Sequence, residues 1–185
     1  TNPYSFVKEN AFLEGDDLVL KVNGIPKGSR DIIKSAQVEF KNLDFMYGSY
    51  RINAAVPKAE GACFGFFYYF NDTQEIDAEL VNSPDYQNQI QFSTHLNSPR
   101  HPTGKITAIQ KPFINDEKYH EFGFDVYPDG VSFFLNGEST NKFPAPTVAG
   151  NIVISYWGNG DKGWSGRPTQ TDLVAKVKSL LIYYN

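Results

Sequence analysis

Glu75, Asp77 and Glu79 stand at every second position of Gln74-Glu-Ile-Asp-Ala-Glu-Leu80, with apolar residues between them. On a β-strand successive side chains point to opposite faces. The three carboxylates then share one face, while Ile76, Ala78 and Leu80 pack into a core behind it. Like charges repeated along one sheet face repel each other, so packing alone does not select them. Cleavage of a glycosidic bond with retention does: it needs one carboxylate as nucleophile and another as proton donor, about 5 Å apart. On an extended strand the Cα atoms of Glu75 and Glu79 are roughly 13 Å apart, so both side chains must reach inward to meet on a sugar. Three close carboxyls cannot all stay ionised at neutral pH without cost, and one is pushed toward the protonated form that a proton donor requires. The plain alternative is a charged, solvated strand that resists edge-to-edge aggregation.

The elements around this strand are short alternating segments punctuated by Gly, Pro, Asn and Asp, the pattern of an antiparallel sandwich or barrel. No helical periodicity of useful length appears. Asp17–Val22 alternates and stops at the turn dipeptide Asn23-Gly24. Lys27–Arg30 reads as loop, and Ser35–Lys41 and Tyr47–Val56 as strands, the latter ended by Pro57. Ala62–Phe70 is a nearly continuous apolar and aromatic run, read as a strand buried on both faces. Asn71-Asp72-Thr73 turns it into the acidic strand, which places Phe67 and Tyr69, or their alternates, beside the carboxylates. Asn88–His95 alternates, with Ile90 and Phe92 on one face and Gln89, Gln91, Ser93 and His95 on the other, a polar face suited to a sugar groove. Asn97–Gly104 reads as a loop carrying His101. Tyr119–Val126 and Val131–Leu135 flank the turn Tyr127-Pro-Asp-Gly130, and Asn136-Gly137 is a further turn signal. Asn151–Tyr156 leads into a glycine-rich loop bearing Trp157, Asn159 and Trp164, and Val174–Tyr184 closes the chain as a strand.

The 185 residues are 41% apolar and 15% aromatic, enough for a sizeable core, and are read as one domain, 1–185. A formal net charge of −4 and a pI near 5.3 argue against a nucleic-acid binder or an anionic-membrane binder, which would show a basic patch. No apolar run is long enough to span a bilayer. Cys63 is the sole cysteine, which excludes an internal disulfide and a Cys-x-x-Cys site, and its apolar setting reads as a buried, inert thiol. Three scattered histidines form no metal-ligand cluster; His101 and His120 read as loop and surface residues. The chain opens at Thr1 without Met, as a processed or trimmed chain does, and Asn71-Asp72-Thr73 is a glycosylation sequon compatible with secretion.

Taken in order, Tyr47-Gly-Ser-Tyr-Arg-Ile, Gly65-Phe-Phe-Tyr-Tyr, Glu75-Ile-Asp-Ala-Glu79, Ile90-Gln-Phe, Tyr119–Val126 with Pro128–Gly137, Tyr156-Trp-Gly-Asn-Gly160 and Trp164-Ser-Gly166 resemble glycoside hydrolase family 16. That family comprises β-jelly-roll endoglucanases and transglycosylases of the concanavalin A-like fold. The likeness runs from about Ser35 to the C-terminus. It implies an all-β, two-sheet antiparallel jelly-roll sandwich and retaining endo-hydrolysis of a β-1,3/β-1,4-type glucan. Carried onto this chain, Glu75 is the nucleophile, Asp77 tunes its neighbours and Glu79 is the general acid/base. Family members acting on laminarin or algal galactans often carry an extra residue before the last Glu, which makes a β-bulge. This chain lacks it and is similar to the lichenase and cell-wall transglycosylase types, although Thr73-Gln74 stand where lichenase-like members often have Trp and Asp.

The expected substrate contacts are Trp157, Trp164, His95, Ser93, Tyr69, Phe67 and Asn159, because sugars stack their apolar faces on aromatic rings and hydrogen-bond through their rims. Tyr50 and Arg51 are weaker candidates. No cofactor is expected; Asp16, Asp17 and Asp161 are either candidate ligands of a structural calcium or ordinary surface charges. The expected partner is a polysaccharide, with no nucleic acid and no membrane, and the expected state is a secreted monomer. Three alternatives stand beside hydrolysis: transglycosylation, in which a sugar hydroxyl replaces water, a non-catalytic lectin-like module on the same fold, and a cell-wall structural or recognition protein with residual fold likeness.

Overall fold

The computed structural model describes residues 1–98, 101–113 and 115–184, with the side chains of residues 42–44, 97, 98 and 101–106 left aside. The strands in chain order are β1 (Tyr4–Phe6), β2 (Ala11–Glu14), β3 (Asp17–Val22), β4 (Ile33–Phe45), β5 (Gly48–Ala55), β6 (Cys63–Asn71) and β7 (Gln74–Val81). They continue with β8 (Gln89–Ser98), β9 (His101–Pro112), β10 (His120–Tyr127), β11 (Gly130–Leu135), β12 (Glu138–Ser139), β13 (Gly150–Trp157) and β14 (Leu173–Tyr184). Among the described residues helix is confined to two single 3₁₀ turns, Lys8–Asn10 and Pro84–Tyr86.

The strands form two seven-stranded sheets, ordered β1-β4-β13-β6-β7-β8-β9 and β12-β11-β10-β5-β14-β3-β2. Strand β1 runs parallel to β4, and the other named pairings are antiparallel. The inner faces meet in an aromatic core. Phe66 of the first sheet stacks on Phe124 of the second with ring centroids 5.1 Å apart, and Phe92 stacks on Phe133 at 4.7 Å. All four are fully buried, each contributing roughly 1.5–3 kcal/mol through burial. Tyr68 is also buried, and its hydroxyl donates to the carbonyls of Phe45 and Val148, so the phenol enters the core without an orphaned donor.

The alternating segments become the strands their periodicity predicts, with β3 covering Asp17–Val22 as read. Asn136 (φ 47) and Gly137 (φ 93) make the left-handed turn from β11 to β12 that their residue types favour. Four readings are corrected. The proposed loop Asn97–Gly104 is strand at both ends: Asn97 and Ser98 close β8, and His101 opens β9, an edge strand unannounced by its irregular polar pattern. The run Ala62–Phe70 is buried on both faces only as far as Phe66; Phe67 and Tyr69 open onto a groove and Phe70 is exposed. Tyr50 lies wholly inside the core rather than in a groove. Arg51 is on the opposite face of the second sheet, paired with Asp125 at 2.7 Å and lying over the Phe134 ring.

Candidate active site

Strand register explains why the site residues meet. Across the first sheet, Gln37, Ser155, Gly65, Glu79 and Gln91 form one row of facing residues, and Glu39, Val153, Phe67, Asp77, Ser93 and Ala108 form the next. A third row runs Asn151, Tyr69, Glu75 and His95. Pairing on both sides of β7 runs without a register shift from Glu75 to Glu79, so the acidic strand is unbulged, as its spacing predicts. Ile76, Ala78 and Leu80 point the other way, into the core.

The carboxylates open onto a cleft with two contiguous chambers. One, of about 380 Å³, is lined by Phe67, Glu75, Asp77, Glu79, Gln91, Ser93, His95, Ala108, Trp157 and Trp164. The other, of about 370 Å³, shares Phe67, Glu75 and Trp157 and continues past Tyr69 toward Tyr4 and Phe6 of β1. A larger surface concavity, about 620 Å³, lies elsewhere, between Tyr47, Tyr127 and Tyr183 on the second sheet, and no carboxylate is among its lining residues. Chemistry, not size, identifies the groove.

Gly65 shapes the groove floor. A Cβ at this position would lie 2.0 Å from Cζ of Phe67, so the missing side chain is what lets that ring lie flat beside the acidic row. Trp157, the last residue of β13, packs at 5.0 Å against the Tyr4 ring, and Trp164 meets Tyr86 edge-on at 5.6 Å. Both indoles are partly exposed to the groove.

The polar network is asymmetric. Asp77 is buried, and its Oδ2 accepts from Ser93 Oγ at 2.7 Å and faces His95 Nε2 at 3.1 Å. The other ring nitrogen of His95, Nδ1, faces Glu75 Oε2 at 3.7 Å. The bond to Asp77 raises the His95 pKa above its usual value, against the opposing pull of burial. Burial first, and then the charge of Asp77, push the Glu75 and Glu79 carboxyls well above the ordinary carboxylate range. Groups this close share their protons as a set. When protonated, His95 places a positive charge at the Glu75 end of the row, where it favours an ionised carboxylate; at the other end, among the described residues, Glu79 Oε1 receives only the weak donor Cys63 Sγ, at 3.5 Å. Glu75, raised further by a hydrogen bond to Asp77, is pushed to about 9 and Glu79, relieved by the Cys63 bond, to about 8, so His95 at the Glu75 end is the group that can reverse this order when it carries a proton.

Among the described residues, Glu75, Asp77 and His95 are the one group of three or more such side chains able to hold a metal ion, with ligand atoms within 4.8 Å of one another. Of the acidic loop residues, Asp17 accepts from the Tyr119 hydroxyl at 2.7 Å and Asp161 accepts from the Gly163 amide at 2.9 Å.

The cleft therefore gathers Glu75, Asp77, Glu79, Ser93, His95, Phe67, Trp157 and Trp164, while Tyr69 lines the β1 side and donates its hydroxyl to Asp72. Asn159 is not in the groove wall. Its Oδ1 accepts from the Asp161 amide and from Ser165 Oγ, so it builds the loop that carries the tryptophans. His120 is partly buried at the start of β10 and bound to Asp116 at 2.7 Å, and is not a free surface residue. The His101 side chain lies outside the described residues. Sequence reasoning gave no individual role to three residues at or beneath the groove. Gln91, read on the polar face of β8, faces Glu79 across the ladder, and its buried Nε2 has no hydrogen-bond partner among the described residues. Cys63 was legible by counting back in twos from Tyr69. Tyr4 carried no signal, because nothing local links it to Trp157, 153 positions away.

Two packed sheets with a carboxylate row in an aromatic-walled cleft define a jelly-roll sandwich of the carbohydrate-active kind. The chain belongs to glycosyl hydrolases family 16, whose model matches residues 8–174. A beta-glucanase of Acetivibrio thermocellus is 27% identical over 161 residues, which covers 82% of this chain and 46% of that protein. The chain thus spans under half the length of this relative. The fold is shared with a prokaryotic beta-1,3-1,4-glucanase (lichenase) derived from a mouse hindgut metagenome, at a TM-score of 0.77 and 23% identity over 97% of this chain and 85% of that one. It is also shared with the laminarinase catalytic domain of Thermotoga maritima MSB8, at a TM-score of 0.78 and 16% identity over 100% and 84% of the two chains.

Proposed function

We propose that this domain is a retaining, endo-acting hydrolase of a β-linked glucan of the β-1,3/β-1,4 class. The observation that carries the reading is the row itself: Glu75 and Glu79 face one cleft from either side of a buried Asp77, with a histidine at the Glu75 end only. Ionised Glu75 attacks the anomeric carbon while Glu79 gives its proton to the departing glycosidic oxygen, leaving a glycosyl ester on Glu75. Glu79, now a carboxylate, takes a proton from water, the hydroxide oxygen attacks the same carbon, and Glu75 is released. Asp77, held by Ser93 and His95, keeps a negative charge beside both glutamates and so couples their protonation.

Space on both sides of Glu75 supports binding within a chain rather than at its end. The aromatic lining supports sugar stacking. A polymeric substrate of this kind is met outside the cell, in keeping with secretion.

The test is incubation of the parent and Glu75→Gln with a panel of β-glucans, scored by reducing ends and by the first anomer seen by NMR. The proposal expects β-anomer first from the parent and none from the variant. If the parent releases nothing from any glucan while both proteins bind equally, the domain is a lectin. Chain-length redistribution with an added oligosaccharide acceptor identifies transglycosylation.

A further inference from the structure

We propose that Cys63 is a positioning residue for the acid/base: its thiol donates to Glu79, fixes the orientation of that carboxyl and stabilises its ionised form. The inference rests on the role given to Glu79 above. It also stands on geometry that no other residue of the site supplies.

Cys63 is fully buried, yet it lies on the groove side of β6, in register with Trp157 on one flank and Val81 on the other. From beneath this cover its Sγ reaches Glu79 Oε1 at 3.5 Å. The groups facing Glu79 from each packed element divide by kind. On β7 stand Asp77 and Glu75, both of like charge. On β8 stand Gln91, Ser93 and His95, with Ser93 and His95 turned to Asp77 and Glu75. On β6 the flanking positions are Gly65, without a side chain, and Phe67; β13 and its loop bring Ser155, Trp157 and Trp164. Among the described residues the thiol is the one hydrogen-bond donor to the Glu79 carboxyl.

The thiol acts as donor and not as nucleophile. Burial and the adjacent Glu79 charge push its pKa well above the usual value, so it keeps its proton. A donor to a carboxylate favours the charged form, and here it offsets part of the rise that burial and Asp77 impose on Glu79. Glu79 becomes charged as the leaving group departs and must be charged to activate water. The bond is therefore stronger after proton transfer than before it, which is the kind of interaction that accelerates a step.

Cys63→Val removes the donor and keeps the floor dry, while Cys63→Ser keeps a donor and strengthens it. The basic limb of kcat/KM reports the free enzyme's acid. It is expected to move up by about half to one pH unit in Cys63→Val and to stay level or move down in Cys63→Ser. Cys63→Ala gives the same upward shift where the extra methyl of Val overpacks. A purely structural thiol would alter thermal stability without ordering the limbs Ser, Cys, Val. The same titration is followed by ¹³C NMR of the Glu79 carboxyl, assigned by its loss in Glu79→Gln, and needs no substrate. Equal Glu79 titration in the parent and Cys63→Val overturns the proposal. Absence of glucan cleavage by a parent whose Glu79 does shift in Cys63→Val overturns the hydrolase reading alone.

Discussion

His95 bridges two carboxyls of the acidic strand, with Nε2 3.1 Å from Asp77 Oδ2 and Nδ1 3.7 Å from Glu75 Oε2. One imidazole therefore fixes the buried aspartate and, when protonated, sets a positive charge at the nucleophile's end of the row. Register makes this possible: His95 is the cross-strand partner of Glu75, and Ser93 is the partner of Asp77. Two residues of β8 thus organise two residues of β7 without any loop.

Removal of that cation has a directional effect on pH dependence. In His95→Ala, Glu75 loses its positive neighbour and holds its proton to higher pH. The acidic limb of kcat/KM is expected to move up, with activity down roughly 10- to 100-fold at the parent's optimum. An unchanged acidic limb would show that His95 acts on Asp77 alone.

Loss of either outer carboxylate is expected to abolish turnover. Glu75→Gln and Glu79→Gln should each lower kcat by roughly 10³-fold or more on a polymeric glucan. Added azide should rescue Glu79→Gln only for substrates whose leaving group departs unprotonated, as a small anion can replace activated water but not the missing acid. Rescue of Glu75→Gln with retention of configuration would reverse the assignment.

The acidic row is a cost to the fold, and the sign follows from the raised pKa. A carboxyl whose folded pKa exceeds its unfolded value of about 4.5 leaves stability intact below that pH and lowers it as pH rises toward the folded value near 8. Glu79→Gln should therefore stabilise the protein at pH 8 by about 1–2 kcal/mol and leave it unchanged near pH 4. Thermal melts at the two pH values check this.

Trp157 should contribute to binding more than to chemistry, because it walls both chambers and carries no group that can exchange a proton with the substrate. Trp157→Ala is expected to raise KM about tenfold with a smaller change in kcat, and oligosaccharide titrations should show the same loss of affinity.

Gly65→Ala tests the groove floor. The added Cβ meets the tip of the Phe67 ring and must lift it off the sheet. The sheet should persist, with KM raised several-fold and restored in part by Gly65→Ala combined with Phe67→Leu. A crystal structure of Gly65→Ala with the ring unmoved would rule this out.

Much of the site was legible in the sequence because sheets repeat every two residues. Alternation in Gln74–Leu80 and Asn88–His95 determined which side chains share a face, and the turn residues Asn71-Asp72-Thr73 determined that β6 and β7 are neighbours. Those facts placed Phe67 and Tyr69, or their alternates, beside the carboxylates, and the strand register selects Phe67 and Tyr69. The two-sheet architecture was equally legible, because the segments are short, alternating and separated by turn residues.

Tertiary structure decided what period two cannot express. Register between strands distant in sequence put Cys63 under Trp157 and brought β1 against the groove, where Tyr4 meets Trp157. The start of the edge strand β9, residues 101–104, lacked alternation, since an edge is not required to bury a face, and so it passed for a loop. Asn159 carries the right chemistry for a sugar contact, yet the loop's own hydrogen bonds claim its oxygen. The sequence by itself determined which residues could act. Pairing and side-chain direction alone decided which of them have hydrogen-bonding capacity left for a ligand.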